Sequence, residues 1–330
     1  MKMERKGNEI KKVVMTGGSG PIGLALIQKL LEEHVEVFLF QREHSFRSAF
    51  VPEHEHLHIE HYTLEQLKDY EPEENDYDVF FHLGWANTGK TVRNNIEEQS
   101  KNVRYSSYAV EAAHKFGCHT FIGVGSQAEY GRKKEPLAGD MLCEPESAYG
   151  IMKLCSCYTT RMLCDKYGMR HIWPRVLSGY GKYDNDGSVL IANIVNSLHH
   201  RPLEFSKGEQ IWDFVYMDDI ANALYLIAKY GRNHAIYPIG SGKARPLKEY
   251  IKIMCDQLGE DIREGLGKIP YSPDQIMYLE ADSSNLIADT GWKPQVEFEE
   301  GIRRVIDFHK SWDVYLSLIH ISEPTRLDVI

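Results

Sequence analysis

A chain of 330 residues with 42% hydrophobic and 26% charged residues has the composition of an ordinary folded protein, long enough for one large globular unit or two small ones. Its formal net charge of -10 excludes broad binding to nucleic acid or anionic membrane, which needs a concentrated basic face. No apolar run approaches the ~18 residues of a membrane span, and Met1 to Lys12 lacks the apolar core of a secretory signal. The sequence therefore predicts a cytoplasmic protein whose partners are small molecules.

Short runs rich in β-branched and aromatic residues alternate with helical patterns: "KKVVMTG", "VEVFLFQ", "DVFFHLG", "HTFIGVGS", "RHIWPRV" and "AIYPIGSG". That alternation predicts an α/β fold, a Rossmann-like doubly wound parallel sheet. The first helix is expected from Pro21 to Glu33, because Ile22, Leu26, Ile27 and Leu30 fall at helical spacing. Before it, "TGGSGPIG" sets Gly17, Gly20 and Gly23 in a G-x-x-G-x-x-G pattern between strand and helix. A pyrophosphate needs close backbone approach, which glycine permits, and free N–H groups, which a helix start supplies. Gly17 to Gly23, with Ser19, Pro21 and Ile22, is the expected dinucleotide cradle.

At the end of the second strand, where a carboxylate would take the adenosine ribose hydroxyls, the sequence reads Gln41-Arg42. A neutral side chain followed by a guanidinium accepts a 2'-phosphate that an aspartate would repel, so the cofactor expected is NAD(P), leaning to NADP. The other reading leaves Arg42 pointing to solvent. Farther on, "HEHLHIEH" (His54 to His61) alternates histidines as a metal site on a strand would, but its glutamate neighbours and lack of a cysteine or aspartate cluster favour a solvated strand or loop.

"GVGSQAEYG" follows a strand, which places Ser126 at the carboxyl end of the sheet, where open α/β folds keep their sites. Its hydroxyl is expected to bond a substrate oxygen; the alternative is a turn or helix cap. "SAYGIMKLC" begins a second helix, expected to run from Ser147 to Gly168, and sets Tyr149 and Lys153 one turn apart. Bringing a phenol from its ordinary pKa near 10 down to about 7 is worth roughly 4 kcal/mol, and a neighbouring ammonium supplies part of that by Coulomb attraction. Ile151, Leu154, Cys155, Tyr158 and Met162 form an apolar stripe on this helix. The six cysteines form no C-x-x-C pair, so reduced thiols are expected and no metal.

After Val176 the alternation weakens and loops such as "GYGKYDNDGS" interrupt it. The division expected is a dinucleotide-binding domain over 1–176, with returning segments near 212–240, and a substrate-binding region over 177–315. The tail "LSLIHISEPTR", within 316–330, looks like a translated transposon-end adapter, and natural sequence is expected to stop near Tyr315; the competing reading is a short C-terminal strand.

Taken together, "TGGSGPIG", "DVFFHLGW", Asn102 in "KNVRYSSYAVEAA", "GSQAEYG", "YGIMK", "RVLSGYG", "WDFVYMDDIANAL" and "ADSSNLIADTGWKP" resemble the extended short-chain dehydrogenase/reductase family, and within it the NAD-dependent epimerase/dehydratase group acting on nucleotide sugars. The resemblance runs from Lys11 to Lys310. It implies Ser126, Tyr149 and Lys153 as the catalytic trio, with Tyr149 as acid/base and Lys153 also holding the nicotinamide ribose. It implies further that Leu83 and Gly84 line the cofactor, that Trp85 to Asn87 face the substrate, and that two copies pair through helices around Val103–Phe116 and Ile151–Tyr167. The apolar stripe noted above is equally open to being internal core.

Departures from the family pattern are informative. Gln127 and Ala128 stand where dehydratases carry acidic residues, which disfavours 4,6-dehydration. Ser178 replaces the usual asparagine offered to the nucleotide sugar, and Trp212 replaces the arginine that holds a phosphate. Lys182, Lys207, Lys243 or Arg245 stand as possible substitutes. The function expected is an NAD(P)-dependent sugar-nucleotide epimerase or keto-sugar reductase. The alternatives are an NADPH-dependent reductase of a non-nucleotide ketone or aldehyde, and a non-catalytic dinucleotide-binding sensor.

Overall fold

The protein is represented by a computed structural model that describes residues 7–43, 46–89, 92–184 and 187–322. Strand β1 (Lys12–Thr16) passes through the glycine loop into α1 (Pro21–Glu32), followed by β2 (Glu36–Gln41), β3 (Leu57–His61) and β4 (Val79–His82). A long loop leads to α2 (Ile96–Lys115), then β5 (Thr120–Gly123), the short β6 (Gly125–Ser126), α3 (Ala148–Tyr167) and β7 (Arg170–Val176). The remainder comprises β8 (Gly179–Tyr180), α4 (Val189–Leu198), β9 (Ile211–Trp212), β10 (Val215–Tyr216), α5 (Met217–Tyr230), β11 (Ile236–Ile239), β12 (Arg245–Pro246), α6 (Leu247–Leu258), α7 (Ser284–Thr290) and α8 (Phe298–Ser322).

The main sheet has the order β11-β7-β5-β4-β1-β2-β3, every pair parallel, with β6 continuing alongside β7. This is the Rossmann-like α/β fold expected. Its interior strands carry apolar residues on both faces: Val13, Val14, Met15, Val79, Phe80 and Phe81 are all fully buried. One face packs Leu26, Ile27 and Leu30 of α1 with Ile220, Leu224 and Ile227 of α5. The other packs Ala109, Val110 and Ala113 of α2 with Cys164 of α3. Chain order reverses between β1 and β4, so the loops leaving these two strands diverge and open a crevice at the carboxyl edge.

A separate apolar cluster joins α4, α6 and α8 through Ile194, Ile251, Met254, Ile302 and Val305. The segment from β10 through β11 belongs with the sheet: β11 pairs with β7, and α5 lies in the first core. Trp292 seals that core, its indole donating to Asp219 O at 3.0 Å.

Histidines 54–61 fall on and before the edge strand β3, where His58 is exposed and 3.6 Å from Glu60. Among the described residues no group of three or more ligand-type side chains is arranged to hold a metal, all six cysteines are free, and no helix is long and apolar enough to cross a membrane. Helix α8 continues to Ser322, so residues 316–322 are helical and do not form the strand considered above; residues 323–330 lie outside the described residues.

Candidate active site

The glycines act through their missing side chains. Gly17 turns the chain at φ 78°, and a Cβ there would meet Gly84 N at 2.6 Å. A Cβ on Gly23, in the first turn of α1, would lie 2.3 Å from Gly17 O. Helix α1 starts at Gly20 with no side-chain cap and a proline in its first turn, so no capping side chain covers its leading backbone N–H groups. Their dipole end opens on the crevice and suits an anion such as a pyrophosphate.

The crevice is a cleft of roughly 950 Å³ that runs from this loop to α3. Every residue expected to hold cofactor or to face substrate lines it, apart from Trp212. Arg42, exposed at the end of β2, shares its part of the cleft with Arg47 and Gln41, and Gln41 Oε1 is buried with no donor among the described residues. Trp85 and Asn87 are held by α2: Trp85 Nε1 donates to Gln99 Oε1 at 2.9 Å, and Gln99 Nε2 donates to Asn87 O at 2.6 Å. Asn102, buried on the same helix, grips Ala86 from both sides, accepting from its N at 2.7 Å and donating to its O at 3.1 Å.

Helix α3 is capped as its sequence requires. Ser147 accepts from Gly150 N at 3.1 Å, and Gly168 ends the helix at φ 69°. The core-facing side consists of Ala148, Gly150, Lys153, Ser156, Cys157, Thr160 and Cys164. Ile151, Tyr158 and Met162 are exposed, at 46%, 60% and 63%, so the stripe is a surface of this chain and not internal core.

Tyr149 and Ser126 both line the cleft, and the Ser126 side chain is near enough to the phenol to lower its pKa, which brings β6 and α3 together there. Ser126 is also a cap: its Oγ accepts from Ala128 N at 3.2 Å, while its own N donates to Glu129 Oε1 at 2.8 Å. The two readings of Ser126 are thus compatible, since a backbone N–H occupies a lone pair and leaves the hydroxyl proton to donate.

The electrostatics differ from the expectation in one respect. Lys153 Nζ donates to Val124 O at 2.6 Å and sits 3.9 Å from the centre of the Trp85 ring, but 6.0 Å from that of Tyr149. Burial pushes Lys153 down to about 7, against the opposing pull of Glu129. Burial likewise raises Tyr149, and the cation that opposes this is Arg93, whose guanidinium lies 4.3 Å from the ring centre. Without a bound cofactor, then, Arg93 and not Lys153 is the charge that favours the phenolate. The loop carrying Arg93 is pinned to the start of α3: Tyr149 N donates to Arg93 O at 3.1 Å and Ala148 N to Asn94 Oδ1 at 3.3 Å. Arg93 passed unnoticed in the sequence because its loop has no periodicity; the one local signal is Asn95, which caps α2 by accepting from Glu98 N.

Trp212 is not among the described residues that line the cleft. It stands on β9, paired with Arg245 of β12, and packs between two apolar clusters, a place its large ring fills better than a phosphate contact. None of Lys182, Lys207, Lys243 and Arg245 lines the cleft either. Lys243 pairs with Glu297, and Arg245 bonds Glu299 at 3.2 Å while stacking on Tyr250. Ser178 does line the cleft, as does Gln127.

A family model, described as the NAD dependent epimerase/dehydratase family, matches residues 13–240. The chain belongs to that family. It is 28% identical over 172 residues to a dTDP-glucose 4,6-dehydratase of Shigella flexneri, a match covering 50% of this chain and 48% of that protein, so the chain spans about half the length of the first curated relatives it matches. Over 311 residues it is 25% identical to a putative UDP-glucose 4-epimerase of Methanocaldococcus jannaschii, covering 91% of this chain and 98% of the relative. Among solved structures, a UDP-N-acetylglucosamine 4-epimerase from Methanobrevibacter ruminantium M1, in complex with UDP-N-acetylmuramic acid, superposes with a TM-score of 0.83 at 25% identity, covering 92% of this chain and 100% of that one.

Proposed function

We propose that this family member is an NAD(P)-dependent sugar-nucleotide epimerase or keto-sugar reductase. The observation that carries the reading is that Ser126, Tyr149 and Lys153 line the same cleft as the glycine loop. A bound nicotinamide would supply hydride acceptance and donation at a sugar carbon. Around it, Ser126 holds the reacting oxygen, Tyr149 takes or returns its proton, Arg93 supplies the positive charge that favours the phenolate, and Lys153 holds the nicotinamide ribose. The cradle of Gly17 and Gly23 fits a dinucleotide, because each Cβ added there would occupy space the backbone already fills. Arg42 and Arg47, with uncharged Gln41 between sheet and solvent, support NADP over NAD.

Absence of acidic side chains at 127 and 128 argues for epimerisation or reduction over dehydration. Incubation of purified protein with NAD or NADPH and a panel of nucleotide sugars and their 4-keto forms tests this. Isomer formation or loss of nicotinamide absorbance is the expected result, and silence across the panel from a folded protein would reject the proposal.

A second reading, reduction of a carbonyl compound that bears no nucleotide, is favoured by one observation: Trp212 and the four nearby cations stay out of the cleft. Thermal protection by uridine, cytidine or thymidine diphosphate separates the two, because a ligand that binds only the folded state must stabilise it.

The exposed face of Ile151, Tyr158 and Met162 on α3 supports a homodimer built on that helix. Light scattering at micromolar concentration is expected to give twice the chain mass, and a monomer would reject the pairing. A cytoplasmic location is part of the same proposal.

A further inference from the structure

Glu129 is fully buried in the turn after β6, and the roles given above to Ser126, Tyr149 and Lys153 leave it none. Its carboxylate is saturated. Oε1 accepts from Ser126 N at 2.8 Å and from Trp173 Nε1 at 3.1 Å, while Oε2 accepts from Arg175 Nε at 2.7 Å. Gly125 makes the room: a Cβ there would lie 2.4 Å from Glu129 Oε1 and 2.3 Å from Trp173 Nε1. The main chain that carries the catalytic hydroxyl is therefore bolted to a buried carboxylate, which is bolted in turn to β7.

Stability alone does not call for this arrangement. Taking a carboxylate and a guanidinium out of water is costly, and well-packed apolar residues of similar volume often serve as well or better. A capping box made at the surface would also turn the chain at Ser126. What an apolar substitute lacks is a fixed negative charge beside the reacting groups.

We propose that Glu129 is a positioning residue of the catalytic group: its carboxylate sets the angle at which Ser126 enters the cleft and fixes one buried negative charge in the turn that carries it. This inference rests on the roles proposed above for Ser126, Tyr149 and Lys153. The groups around Glu129 are Arg175 on β7, Tyr130 in the same turn, Cys143 in the following loop, and Cys157, Tyr149 and Lys153 on α3. Lys153 itself also neighbours His82 on β4, and Tyr149 also neighbours Arg93. Of these, Glu129 is the charge that acts on both Lys153 and Tyr149, raising each. Loss of its charge lets the pKa of Lys153 fall further and lowers that of Tyr149, so both limbs of a pH–rate profile move to lower pH. A residue that merely filled space would lower turnover without moving either limb.

The test is Glu129→Gln, whose amide oxygen still accepts from Ser126 N and Trp173. Lys153 is titrated directly by trace acetic anhydride labelling of the cofactor-free protein between about pH 5 and about pH 9, read by mass spectrometry, since only the neutral amine reacts. The wild-type midpoint is expected near pH 7. In Glu129→Gln it is expected lower by about one pH unit, with labelling at pH 6 up by about fivefold. A midpoint unchanged in a folded variant overturns the proposal. Should Arg175, left unpaired, unfold that variant, Glu129→Gln/Arg175→Met removes both charges and is expected to shift the midpoint in the same direction by a smaller amount, because loss of the cation offsets part of the loss of the anion, with the same refutation. Silence of the wild type toward every nucleotide sugar would fall on the proposed reaction, whereas an unmoved Lys153 midpoint falls on Glu129.

Discussion

Arg93 lies face-on against Tyr149, its guanidinium 4.3 Å from the ring centre, although the two residues are separated in sequence by all of α2 and β5. The main chain enforces the contact, since Tyr149 N donates to Arg93 O. Arg93 lowers the Tyr149 pKa, so its removal raises it. Arg93→Gln should therefore move the acidic limb of the pH–rate profile to higher pH and cost about five- to tenfold in turnover at neutral pH, the equivalent of about 1 kcal/mol for a cation–π contact. Arg93→Lys should recover part of the loss. Steady-state kinetics across pH decides it; an unmoved limb removes Arg93 from the chemistry.

Two buried histidines bear on stability. Burial holds His82 and His171 down to about 3. An unfolded histidine takes up a proton near pH 6.5, whereas these remain neutral in the fold, so stability is fully present above pH 6.5 and is lost as pH falls below it. Each should remove about 2 kcal/mol between pH 7 and pH 5. Urea midpoints at the two pH values should fall less steeply in His82→Gln and His171→Gln than in the wild type, and equal slopes would contradict the assignment.

The proposed preference for NADP rests on Arg42. Reversing its charge in Arg42→Asp should weaken NADP binding by about tenfold or more and spare NAD, because one guanidinium–phosphate contact becomes a repulsion. Calorimetric titration with each dinucleotide reads this. A wild type that prefers NAD would remove Arg42 from the role.

Much of this was legible in the sequence because short-range spacing fixes it. The glycines at 17, 20 and 23 precede a helix whose apolar positions are unmistakable, and Tyr149 and Lys153 meet one turn apart on any helix. The contacts missed are those made by tertiary closure. Arg93 reaches Tyr149 only after α2 and α3 pack side by side. The alternative of a buried α3 stripe failed because its core-facing side is small and polar, and periodicity finds an apolar face without saying what covers it. Trp212 holds a family phosphate position in sequence, yet strand pairing with Arg245 turns its chain into an apolar seam. Glu129 was readable in principle, since Ser126 followed three residues later by a glutamate is a capping-box pattern.

In the proposed reaction Tyr149 transfers the proton that accompanies hydride movement. Tyr149→Phe tests it most directly, with turnover of an accepted nucleotide sugar and dinucleotide affinity measured on the same preparation. Turnover should fall by about 100-fold or more, the usual worth of a positioned acid/base, with cofactor affinity retained. Turnover close to that of the wild type would contradict it.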